Sequence, residues 1–146
     1  MKITKEELAK RYNEYNDLYF GGKLEKLTKN NFFLIEKNDS TFGRYRYKIE
    51  KNGKITSKIW IGTCVDWSDE ELKEILIHEM IHMYNFTVEK SKLTGLLGHG
   101  IAFRRQCNRI KKEFGLYIHI HPNFKTINKK PSPSFMERAL LWVIDR

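Results

Sequence analysis

The stretch "EILIHEMIHMYNF", residues 74–86, constrains this chain more than any other part of it. Leu72, Ile75, Leu76, Ile77, Met80, Ile81, Met83, Tyr84 and Phe86 leave almost no polar side on a helix here, so the segment has to run through a core. The same segment carries His78, Glu79 and His82. Buried without partners, two imidazoles and a carboxylate would cost on the order of several kcal/mol. Something at that position must therefore bond to them. A pair of structural histidines held by hydrogen bonds is the plain alternative to a bound ion.

Spacing favours the ion. His78 and His82 are four residues apart, so they project from one helix face on successive turns and can reach one metal. Glu79 sits about 100° further round. It cannot join the histidines as an equal ligand, but it can reach a water that the metal polarises. A carboxylate there takes the water's proton, and the oxygen then attacks a carbonyl. The pattern is HExxH, the helix signature of zinc proteases.

Catalytic zinc takes three protein ligands and keeps one position open. The metzincin continuation fails, because Asn85 and Val88 stand where a glycine and a third histidine are needed. Glu113 on a later helix is one candidate for the third ligand, whereas Glu89 is too near the end of the HExxH helix. His99, His119 and His121 are the others. His99 is favoured: it sits in "GHG", whose glycines allow close backbone approach, and the 16 residues after His82 are enough to turn the chain back. His119 and His121 alternate on one face of a short strand and read as an ordinary exposed pair, with a second or surface metal site as the alternative.

Around this helix the sequence predicts an α+β domain. Thr4 and Glu7 have capping-box spacing, and Leu8, Tyr12, Tyr15 and Tyr19 mark an amphipathic helix over 5–20 that ends at Gly21-Gly22. Residues 31–37 read as a strand, and 42–61 as a hairpin turning at Asn52-Gly53. A small antiparallel sheet of three strands is expected, with 55–61 as the edge that could pair with a peptide. Ser68 and Glu71 form a second capping box and open the HExxH helix. A glycine-punctuated loop over 94–100 could gate access to the site. A third helix follows, with Ile101, Ala102, Gln106 or Cys107, Ile110 and Phe114 as its inner face and Gly115 as its end. The expected division is a domain over 1–124, then a polar, proline-marked tether and a C-terminal helix over 125–146, capped by Ser134 and packed on the same domain.

The chain has 146 residues, 40% apolar and 13% aromatic, which fits one globular domain. There is no N-terminal apolar h-region and no run near the ~20 apolar residues of a membrane helix, so a cytoplasmic protein without membrane contact is expected. Cys64 and Cys107 form no CxxC and read as reduced thiols. The net charge of +9 is uneven: residues 69–86 sum to −4 and residues 87–130 to +8. The basic half suits a polyanion such as DNA, or is a solvated surface. Arg104, Arg105, Arg109, Lys111 and Lys112 are its candidate phosphate contacts.

"YNEYNDLYFGGKLEKL", "TFGRYRY", "IHEMIH" and "HGIAFRRQC" together resemble the SprT-like family of zinc metalloproteases over about residues 5–115. HExxH alone is widespread; HExxH followed by a His-Gly that opens a helix with a downstream Phe is far more specific. The resemblance implies a zincin-like fold and one Zn²⁺ per chain. It also implies His78, His82 and His99 as ligands, Glu79 as general base, and proteins, including DNA-crosslinked ones, as substrates. Acting on DNA would place the chain at a nucleoid or in a nucleus. Many SprT-like proteins end in a cysteine-rich zinc ribbon, which this sequence lacks. Two further readings compete: a non-catalytic nucleic-acid-binding module stabilised by structural zinc, and a zincin peptidase unrelated to DNA.

Overall fold

The computed structural model describes residues 1–90 and 99–127. The elements run α1 (Lys5–Tyr19), a short 3-10 turn (Lys29–Asn31), β1 (Phe32–Ile35), β2 (Gly43–Ile49), β3 (Ile55–Gly62), α2 (Asp69–Thr87) and α3 (Ile101–Phe114). Among the described residues this is an α+β arrangement of three helices and a small sheet. The C-terminal helix expected after Ser134 and most of the loop over 94–100 lie outside the described residues.

Helix ends follow the local chemistry. The Thr4 hydroxyl accepts from the Glu7 amide at the start of α1. At α2 the capping box is complete, with Ser68 accepting from the Glu71 amide and Glu71 accepting from the Ser68 amide. Gly115 ends α3 at φ 69°, a left-handed conformation that glycine adopts without strain.

The sheet departs from expectation. Its order is β1-β3-β2, with β3 in the centre. β2 pairs with β3 antiparallel, as the Asn-Gly hairpin requires, but β1 pairs with β3 in parallel. The sheet is mixed, not antiparallel, and 55–61 is not an edge. The reason lies in the 36–42 connection, which carries the chain past the β3 position so that β3 inserts between its two predecessors. β1 and β2 do run in opposite directions, but they are not neighbours.

α2 is the centre of the core. Every residue from Ile75 to Asn85 is buried, and the helix packs against β2, β3, α1 and α3. Phe32, Tyr45, Ile59 and Ile61 meet it from the sheet; Leu8, Tyr12 and Tyr15 line α1. On α3 the buried residues are Ala102, Phe103, Gln106, Cys107 and Ile110. Ile101 and Phe114, expected inside, are exposed at the helix ends. Phe114 still covers Tyr19 edge-on at 5.0 Å.

Beyond α3 the chain returns to the start of α2. Phe124 packs edge-on against Phe42 and Trp67 at 5.2 and 4.9 Å. Thr126 bridges to Val65, and the Ile127 amide donates to the Cys64 carbonyl at 2.7 Å. Thr126 and Ile127, within the stretch expected to begin a tether, are thus bonded to the β3–α2 connection. Among the described residues no helix is long and apolar enough to cross a membrane.

Candidate metal centre

Three imidazoles meet in the core. α2 supplies His78 and His82 from successive turns, and the chain just before α3 supplies His99; all three are buried. Their ring centroids form a nearly equilateral triangle with sides of 5.0–5.1 Å. Ring nitrogens of the three lie within 4.8 Å of one another, a group able to hold a metal ion. Nε2 of His78 and of His99 are 3.1 Å apart. Two nitrogens bonded to one tetrahedral zinc stand about 3.3 Å apart, given bonds of about 2.0–2.1 Å, so the donor set fits such an ion in both chemistry and spacing.

Phe103 secures the triangle. Its ring lies 4.8, 4.7 and 4.7 Å from those of His78, His82 and His99. It lies in the first turn of α3, so the helix that begins beside His99 also packs the imidazoles. An apolar ring here keeps competing hydrogen-bond partners away from the nitrogens.

Glu79 lies beside the triangle and is not part of it. Its Oε2 is 3.9 Å from His78 Nε2, and the side chain is almost wholly buried. Room for it comes from Gly43, the first residue of β2. A Cβ at that position would stand 3.0 Å from Glu79 Oε2 and 3.0 Å from Ile75 Cγ1. Sequence reading missed Gly43; a glycine inside a strand pattern is the available sign of close approach.

The other candidates separate. Glu113 pairs with Arg109 at 3.2 Å on the outside of α3. Glu89 accepts from Gln106 at 2.7 Å. Residues 116–121 form no ladder, so His119 and His121 do not sit on a strand. His119 bonds Glu74 through Nδ1 at 2.7 Å, and His121 stands edge-on to His99 at 5.0 Å.

The SprT-like family profile matches residues 8–127. The chain belongs to the SprT-like family. No curated protein matches it. In this SprT-like domain the match runs past α3 and takes in the returning segment that carries His119 and Phe124.

The basic helix face divides in two. Arg104, Arg105, Asn108, Lys111 and Lys112 are exposed and fall within about 120° of one side of α3. Arg105 reaches Glu89 at 3.6 Å, and Lys111 lies over the Tyr117 ring at 5.2 Å. Arg109 instead points inward. It donates to the Tyr19 carbonyl at 2.7 Å and the Gln106 side chain at 2.8 Å, and its guanidinium lies over the Phe20 ring. Its role is to join α3 to α1.

Proposed function

We propose that this chain is a zinc-dependent metalloendopeptidase acting on DNA-associated proteins. The observation that carries the reading is a buried carboxylate, Glu79, held next to a three-histidine group without belonging to it. A structural zinc site usually closes with four protein ligands; among the described residues this group has three. A purely structural site also gives Glu79 no task.

In this reading His78, His82 and His99 hold one Zn²⁺. Zinc bound there would supply a Lewis acid that acidifies water and polarises a carbonyl. Glu79 takes the proton from the attacking water and returns it to the departing amine. The apolar neighbours of Glu79, Ile75 among them, keep the carboxylate in one position. An extended substrate would run along β2, the edge strand that starts against Glu79, with main-chain pairing giving affinity. The exposed cations Arg104, Arg105, Lys111 and Lys112 favour a phosphate backbone alongside, which would place the enzyme at a nucleoid or in a nucleus.

Glu79→Gln tests the reading, because it keeps shape and hydrogen bonding and removes only the base. We expect it to retain one zinc per chain and a wild-type unfolding curve while cleavage of a denatured protein substrate falls at least ~100-fold. Cleavage at the wild-type rate would end the protease reading. Activity that needs no DNA, with no measurable affinity for it, would favour the plain peptidase.

A further inference from the structure

We propose that Glu74 is a positioning residue for the metal site, acting on His78 through the backbone of His119. This rests on reading His78, His82 and His99 as metal ligands.

Glu74 lies one turn before His78 on α2, so the two share a helix face. It stands beyond the capping residues of the first turn, which are Asp69, Glu70 and Glu71. Its Oε2 accepts from the His119 amide at 3.1 Å and is bonded by the His119 Nδ1 at 2.7 Å. One carboxylate oxygen thus fixes both the backbone and the ring of a residue that belongs to no helix or strand. The His119 carbonyl in turn accepts from His78 Nδ1 at 3.3 Å.

The consequence is a defined tautomer. With the proton on Nδ1 and shared with a carbonyl, His78 Nε2 carries its lone pair, and Nε2 is the nitrogen that faces His99. A ligating imidazole needs such a partner on its other nitrogen to fix ring angle and basicity. A helix cannot provide it from its own residues here, because the carbonyls near His78 are used within α2. The returning segment provides it, and Glu74 holds that segment in place. Its side chain is only 16% exposed, whereas the His119 side chain that it holds is 57% exposed.

The test compares the wild type with Glu74→Ala and Glu74→Gln. Zinc affinity is measured by chelator competition, His78 tautomer by ¹H–¹⁵N NMR of the metal-free protein, and folding by urea unfolding of the same metal-free samples. For Glu74→Ala we expect zinc affinity roughly 10- to 100-fold weaker and loss of the single Nδ1–H tautomer at His78. Glu74→Gln, which can still accept from the His119 amide, should recover part of both. If Glu74→Ala unfolds, Glu74→Gln decides alone, with weaker zinc binding at an unchanged unfolding midpoint as the supporting result. Wild-type zinc affinity and an unchanged tautomer in the variants overturn the role of Glu74 and leave the metal site standing. A wild-type protein that binds no zinc overturns the site and this role together.

Discussion

Gly43 shows how a single missing methyl group can set the position of a buried carboxylate. Its backbone is ordinary extended strand, so conformational freedom is not what glycine provides there. What it provides is space: Glu79 Oε2, Glu79 Cγ and Ile75 Cγ1 would lie 3.0, 3.2 and 3.0 Å from an added Cβ. Ile75 is anchored in the core, so the carboxylate is the group that gives way. Gly43→Ala should therefore shift Glu79 by a fraction of an ångström and cost about 1–3 kcal/mol of stability through overpacking. With Glu79 as the proposed general base, misplacing it by that amount is enough to lower kcat by roughly 10- to 100-fold. The three imidazoles are not touched by the added methyl, so bound zinc per chain should stay at the wild-type value. Steady-state kinetics beside metal analysis checks this. A variant with normal kcat would mean that Glu79 does not need its observed position.

At the scale of the element, α3 combines two jobs on adjacent faces. Arg109 ties the helix to α1 through the Tyr19 carbonyl, with Gln106 and Glu113 holding its other nitrogens. Arg109→Ala should cost about 1–3 kcal/mol in urea unfolding, and Arg109→Lys should not restore it, because an ammonium cannot reproduce the planar fork. Arg104, Arg105, Lys111 and Lys112 are exposed, so their removal should leave stability nearly unchanged. If this face binds DNA, each truncation should lower the slope of log K against log salt by about one, while Arg109→Ala should leave the slope alone. A slope carried by Arg109 and not by the exposed four would reverse the assignment. The same helix shows what sequence could and could not tell. Its end at Gly115 was legible, and so was the placement of His99 beside His78 and His82, because caps and glycine flanks are local signals. Its inner face was drawn through Ile101 and Phe114, and Phe103 was left off it, because a mixed basic and apolar helix permits more than one stripe. The HExxH helix was legible throughout, since His78, Glu79 and His82 are fixed by spacing alone. The parallel pairing of β1 was not, because alternation reveals which face a strand buries and not which strand lies beside it. The bonds from His119 to Glu74 join the returning segment to α2 across the chain, and no window of sequence contains them.

For the whole molecule, the common feature is that each layer presents a neutral acid to the core around α2. α1 contributes Tyr12, whose hydroxyl donates to the Glu25 carbonyl at 2.6 Å; burial raises its pKa well above the ordinary tyrosine value. The sheet contributes Tyr45, pushed by burial from 10.0 to about 12 against the opposing effect of its contact with Ser57. α3 contributes Cys107, pushed from 9.0 to about 12, first by burial and then by the charge of Glu74. In the unfolded chain these groups lose their protons near their ordinary values. In the folded protein they keep them. Their contribution is thus fully present below about pH 9 and is lost as pH rises toward 12. Each group that titrates only in the unfolded chain removes about 1.4 kcal/mol per pH unit. A second trend runs the other way, because the net charge of +9 falls as lysines deprotonate, which relieves self-repulsion. Comparing variants with the wild type removes that shared background. Tyr45→Phe should be about 1 kcal/mol less stable at pH 8, through loss of the Ser57 contact. Between pH 10 and 12 the deficit should shrink, because the variant has no phenol to release. Cys107→Ala should gain on the wild type in the same direction from about pH 9 upward. Urea midpoints measured across this range decide the matter. A gap between variant and wild type that stays constant with pH would show that these groups ionise equally easily in both states, so that the core does not hold them neutral.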